Sequence, residues 1–178
     1  MSKILLMLVS TALTVLAAGS DADLTATVVK HLETSRDFTL KVAEAMPAAD
    51  YDFKLTPPQM SFGGQLTHLS QGLGYFLSPF SGEKASDAKP KSGSKEDVIV
   101  FVKASFDDAI SKVSKLTPEQ LSKSYKTGEG ETESGANLLL GMLDHTTHHR
   151  ASAPRCIWGR RASRRLSISS RATPVRVG

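Results

Sequence analysis

Three histidines fall within five residues of one another in the run Leu138 to Arg150, LLLGMLDHTTHHR. At 100° per residue, the angle set by 3.6 residues per turn, Leu138, Met142, His145 and His149 lie on one line of a helix. The imidazoles of His145 and His149 therefore point where the apolar residues point, toward a core. His148 falls on the polar face with Asn137 and Asp144. Histidines at i and i+4 can converge on one ion, so an inward-facing pair follows the pattern of metal ligation rather than that of a solvated histidine cluster. An HxxxH pair alone is a weak signal, and without a Glu after His145 it is not the HExxH of a metalloprotease.

A catalytic zinc-type site takes three protein ligands and keeps a further position open. Bundle-core metal sites draw their ligands from facing helices, which makes His68 the natural third and leaves His31, at the edge of the first helix's apolar face, as the alternative. Asp144 could orient a ligand histidine, but the wheel turns it to the polar side, where a solvated carboxylate is the simpler reading. Gln65, one turn before His68, is a candidate hydrogen-bonding neighbour. No Ser/His/Asp or Cys/His arrangement and no glycine-rich phosphate loop accompanies these residues.

Helices must position the histidines. Leu24 to Met46 reads as the first, with Leu24, Val28, Leu32, Ser35, Thr39, Val42 and Met46 on one face and Pro47 ending it. Ala48 to Met60 reads as an ordered loop packed down by Tyr51 and Phe53. Ser61 caps a second helix to about Leu77, with Phe62, Leu66, Leu69, Leu73 and Phe76 on its core face and His68 on a stripe with Gln65, Gly72 and Tyr75. Gly63, Gly64, Gly72 and Gly74 weaken that helix by roughly 1 kcal/mol each relative to alanine, and in return leave room beside His68 for an ion and a substrate. Pro79 to Gly93 is the longest linker. Ser94 opens a third helix, apolar from Val98 to Leu116, and Thr117-Pro118 starts a short one. Lys126 to Glu133 reads as a polar loop, after which Ser134 or Asn137 opens the final helix. With no convincing strand period, the expectation is an all-α fold, an antiparallel four-helix bundle.

The chain has 178 residues, 40% of them hydrophobic, enough for one domain with one core. Residues 1–19 carry Lys3, an apolar run and small residues at the end, the layout of a secretory signal peptide. The expectation is an exported protein, periplasmic or extracellular, free of the membrane once the signal is cleaved. The net charge is +4, yet seven of the 22 Lys+Arg are arginines after Ala151, where there is no acid; the remaining 15 face all 18 Asp+Glu, a net of −3 for residues 1–154. The basic character belongs to the tail. Such a tail suits nucleic acid, a partner an exported protein would seldom meet, so no nucleic-acid partner is expected. A second explanation is a shifted reading frame. Back-translating Cys156-Ile157-Trp158 and slipping one base upstream gives Leu/Met/Val, Tyr/His, Leu/Met, an acceptable helix continuation. On that reading residues 151–178 form a disordered Arg-rich tail, Cys156 is accidental, and the last helix is truncated near Pro154.

The segments HLETSRDFTLKVAEAMP, YDFKLTPPQMSFGGQLTHLSQ and SGANLLLGMLDHTTHHR together resemble the DinB/YfiT-like family of damage-inducible proteins, over about residues 24–150. The helix-two histidine and the distal HxxxHR are the most specific part. The resemblance implies a four-helix bundle, here residues 22–150, binding a divalent metal, commonly zinc or nickel, through three histidines: His68, His145 and His149. Some relatives are thiol-dependent transferases or isomerases, so it implies a metal-dependent transferase or hydrolase acting on a small molecule. The alternative is a non-catalytic metal-binding or structural bundle. It allows a homodimer through a bundle face, which no residue demands. The family usually continues with Gly-Gln and an amphipathic helix; Ala151-Ser152-Ala153-Pro154 departs from this.

Overall fold

Four long helices and one short one carry the chain in this computed structural model, which describes residues 2–128 and 130–169, with side chains for 24–128 and 130–159. Helix α1 spans Ser2–Ala45, α2 Phe62–Ser81, α3 Lys95–Val113, α4 Pro118–Ser122 and α5 Gly135–Ser169. The expected leader, residues 1–19, lies outside the described side chains. Among the described residues no helix is long and apolar enough to cross a membrane.

The starts of the helices are set by the side chains the sequence pointed to. Ser61 accepts from the Gly64 N–H and Ser94 from the Asp97 N–H, each satisfying a donor that the first turn leaves unpaired. Thr117 and Gln120 form a reciprocal capping box around Pro118. Ser134 rather than Asn137 opens α5, its hydroxyl accepting from the Asn137 N–H at 3.2 Å. At the other end of α2, Gly82 adopts a left-handed φ of 73°, a conformation that favours glycine and closes the helix. The second helix thus runs one turn past Leu77, through Pro79.

Contacts at the helix ends fix the topology. The Lys95 ammonium at the start of α3 donates to the Glu44 and Met46 carbonyls at 2.7 and 2.9 Å. Near the start of α2, Tyr51 donates to the Ala43 carbonyl at 2.8 Å and packs edge-on against Phe62. Both helices therefore begin beside the end of α1, run antiparallel to it and parallel to each other, and the 82–94 segment must return along their length. Helix α5 runs back antiparallel to α2. The core is filled by Val28, Leu32 and Met46 of α1, Leu66, Leu69 and Leu73 of α2, Val98, Val102 and Phe106 of α3, and Leu139 and Met142 of α5. The expectation of an all-α bundle of four main helices holds.

Two expectations need correction. The polar loop over Lys126–Glu133 contains a short antiparallel ribbon, Ser124–Lys126 (β1) against Thr132–Ser134 (β2), with Tyr125 opposite Glu133. Strands of three residues are too short to show an alternating pattern, and Tyr125 is held by packing on Phe80 at 4.9 Å between ring centroids. The second concerns the last helix, expected to lose its closing turns near Pro154. It continues to Ser169. Ala153 and Cys156 are buried, and Ile157 packs on the core. With Met142, Thr146 and His149 they recur at alternating steps of four and three residues, so the inward stripe continues past the proline. Burial of that stripe outweighs the hydrogen bond Pro154 removes. Residues 170–178 of the tail lie outside the described residues.

Candidate metal centre

Helix α2 brings His68 and α5 brings His145 and His149 to one place between the two helices, each half-buried. Each offers a ring nitrogen, and these nitrogens all lie within 4.8 Å of one another. The ring centroids stand 5.2 Å (His68 to His145), 4.5 Å (His68 to His149) and 4.5 Å (His145 to His149) apart. Three imidazoles bound tetrahedrally at about 2.0–2.1 Å would hold their nitrogens about 3.3 Å apart, within reach of small side-chain rotations. His31 is exposed on α1 and takes no part. Asp144 is exposed as well, a solvated carboxylate.

The backbone has been cut back to admit these rings. A Cβ at buried Gly72, one turn after His68, would collide with the His145 ring. Phe76, a turn further on, covers the same ring with centroids 5.8 Å apart. The sequence placed Gly72 on the His68 stripe; the structure shows that the room it leaves is taken by His145.

Hydrogen bonding separates the two α5 histidines. Gln65 Oε1 lies 2.8 Å from His149 Nδ1. An amide oxygen can only accept, so Nδ1 carries the proton and Nε2 keeps its lone pair. Gln65 thus holds His149 in the tautomer a metal ligand needs, in the manner of groups that orient ligands from behind. His145 Nδ1, by contrast, is buried without a hydrogen-bond partner.

Both rings are kept neutral. Burial is the main cause that lowers the His149 pKa, to about 4, with the charges of His145, His68 and His148 adding to it. His145 is lowered in the same way, first by burial and then by His68 and His148. His148, exposed as the wheel predicts, stands outside the cluster of three, yet it helps lower both pKa values from 4.9 Å away from His149 between ring centroids. Arg150 turns away, donating to Ser35 Oγ at 2.9 Å and lying over Phe38, and so ties α5 to α1 beside the triad.

The buried nitrogen without a partner, the neutral rings and the all-nitrogen donor set fit a divalent transition-metal cation. Calcium and magnesium call for oxygen ligands.

The arrangement of helices recurs in solved structures. A DinB-like protein from Bacillus subtilis superposes with a TM-score of 0.61 at 19% sequence identity, over 77% of this chain and 92% of its own. A DinB-like protein from Bacillus cereus gives 0.64 at 15% identity, over 76% and 91%. At such identities the likeness is one of fold. A comparison with curated proteins found no match. The sequence model of the DinB family matches residues 14–154, and by that match the chain belongs to the DinB family.

Proposed function

We propose that this protein is an exported DinB-family metalloprotein in which His68, His145 and His149 hold one zinc or nickel ion, and that it acts as a metal-dependent transferase or hydrolase on a small molecule. The observation that carries the reading is the convergence of three neutral-leaning imidazoles from two helices, with nitrogens within 4.8 Å. A divalent ion bound there would supply Lewis acidity, lowering the pKa of a coordinated water or thiol toward neutrality. The chain's own part is to fix the donors. Gln65 sets the His149 tautomer, Gly72 admits the His145 ring, and Phe76 shields it from water. Three protein ligands leave a coordination position for an incoming group, which is what separates a catalytic from a structural site.

The export reading rests on residues 1–19, whose charge, apolar run and small C-terminal residues follow the signal-peptide layout. Cobalt substitution tests the open position. The cobalt-loaded protein titrated with a small thiol should develop a thiolate-to-metal absorption band. A spectrum unmoved by thiol, azide or other small ligands would mean a closed, non-catalytic metal site.

A further inference from the structure

Helix α2 has a second face that the histidine triad does not use. His68, Gly72 and Tyr75 belong to the stripe facing α5. Ser70, Gly74 and Leu77, roughly half a turn round the helix, border a cavity of about 580 Å³ between α2, α3 and the returning 82–94 segment. Small-molecule sites commonly enclose about 300 to 1,000 Å³. The crossover is pinned above it where Gln71 Nε2 donates to the Ala88 carbonyl at 3.1 Å.

Gly74 marks this space as unfilled. A glycine inside a helix is destabilising relative to alanine. At Gly63 and Gly72 the structure supplies a reason, since an added Cβ would crowd Tyr51 or His145, whereas at Gly74 an added Cβ would meet nothing within 4 Å. Ala104, across on α3, is also small and lines the same cavity.

The lining is divided by chemistry. Leu77, Phe101 and Leu116 give it an apolar floor, and the charges on its rim are three lysines against Glu83 and Asp108. Asp108 is already matched by Lys112 at 2.7 Å. Among the described residues Lys84 and Lys115 have no carboxylate partner; the Lys115 ammonium donates to Ser111 Oγ at 3.2 Å. Both follow the C-terminal ends of their helices, at the same end of the cavity because α2 and α3 run parallel. Glu83, beside Lys84, is the one carboxylate at that end and has no ion-pair partner among the described residues, so two lysines against one acid leave a single net positive charge. An apolar floor ending in one net positive charge complements an amphipathic monoanion.

We propose that this cavity binds a small carboxylate with an alkyl or aromatic body, the body lying along Leu77, Phe101 and Leu116 and the carboxylate facing Lys84 and Lys115. The site is separate from the metal centre and does not depend on it. Calorimetric titration of the full-length protein with decanoate, decanol and decyltrimethylammonium tests it. Decanoate should bind saturably at one equivalent, more tightly than decanol, with the cation weakest. Gly74→Leu fills the cavity and removes a helix glycine, so it should keep or raise the melting temperature and weaken decanoate at least about tenfold. Ala104→Leu fills it from the facing helix and should do the same. Lys84→Glu with Lys115→Glu should weaken decanoate about tenfold and leave decanol unchanged, and His145→Ala should change neither. Absence of saturable binding, equal affinity in folded Gly74→Leu and Ala104→Leu, or a cation bound as tightly as decanoate would each overturn the proposal.

Discussion

A single methyl group at position 72 perturbs the triad while leaving all three histidines in place. In Gly72→Ala the new Cβ would overlap His145 at Cε1 and Nδ1 and lie 3.0 Å from Nε2. Non-bonded carbons settle at about 3.5–4.0 Å, so the ring has to move by roughly an ångström or more. Two effects oppose each other in the metal-free protein. Alanine for glycine inside a helix stabilises by about 1 kcal/mol, and overpacking a filled site costs about 1–3 kcal/mol, so folding stability falls by about 0–2 kcal/mol. Metal binding responds far more, because an imidazole displaced by an ångström from a bond of about 2.0–2.1 Å no longer coordinates. The expected loss is at least about 100-fold in zinc affinity, or about 2.7 kcal/mol. Competition titration against a chromophoric chelator measures it, with thermal unfolding of the metal-free protein as the control. A folded Gly72→Ala variant that binds zinc within about threefold of the wild type would refute the claim that His145 coordinates from the position this glycine clears.

Other consequences are open to equally direct measurement. Gln65→Leu removes the acceptor for His149 Nδ1–H and should weaken zinc about 10- to 100-fold with little change in fold, as loss of groups behind metal ligands does; unchanged affinity would show that the tautomer is set by something else. The metal-free protein should lose stability on acidification. His149 titrates near 4 when folded instead of its ordinary 6.5, so the unfolded chain takes up the proton first and the stability present above pH 6.5 is lost as pH falls toward 4. A denaturation midpoint flat across that window would contradict a neutral His149 in the folded chain. Pro154→Ala restores a helix N–H donor within α5 and should raise stability by about 1–3 kcal/mol. A lower melting temperature would mean that the proline is needed for the path of the last turns.

The triad was legible because two of its members share a helix. His145 and His149 are fixed relative to one another by the 3.6-residue period, and the apolar residues Leu138 and Met142 reveal which way that line points. His68 lies on another helix, where spacing alone could not choose between it and His31; the structure brings His68, and not the exposed His31, to within 4.8 Å of the other two. Helix starts were readable from Ser61, Ser94 and Thr117, since capping is a local interaction. The hydrogen bond between Gln65 and His149 depends on how α2 and α5 approach, so the sequence could offer Gln65 only as a neighbour. The ribbon at Tyr125 and the continuation past Pro154 were missed for a related reason. Both are held by tertiary packing that overrides a local signal, the aromatic contact of Tyr125 with Phe80 in one case and the burial of Ala153 and Cys156 in the other.

Metal stoichiometry by mass spectrometry, on wild type and on five single alanine variants at His31, His68, His145, His148 and His149, shows whether the three histidines hold an ion. One zinc or nickel ion per chain is expected in the wild type, retained in His31→Ala and His148→Ala and lost in each of the other three. A wild-type protein that neither carries nor takes up a divalent metal would contradict it, as would loss of metal on changing His31 or His148 while His68→Ala keeps it.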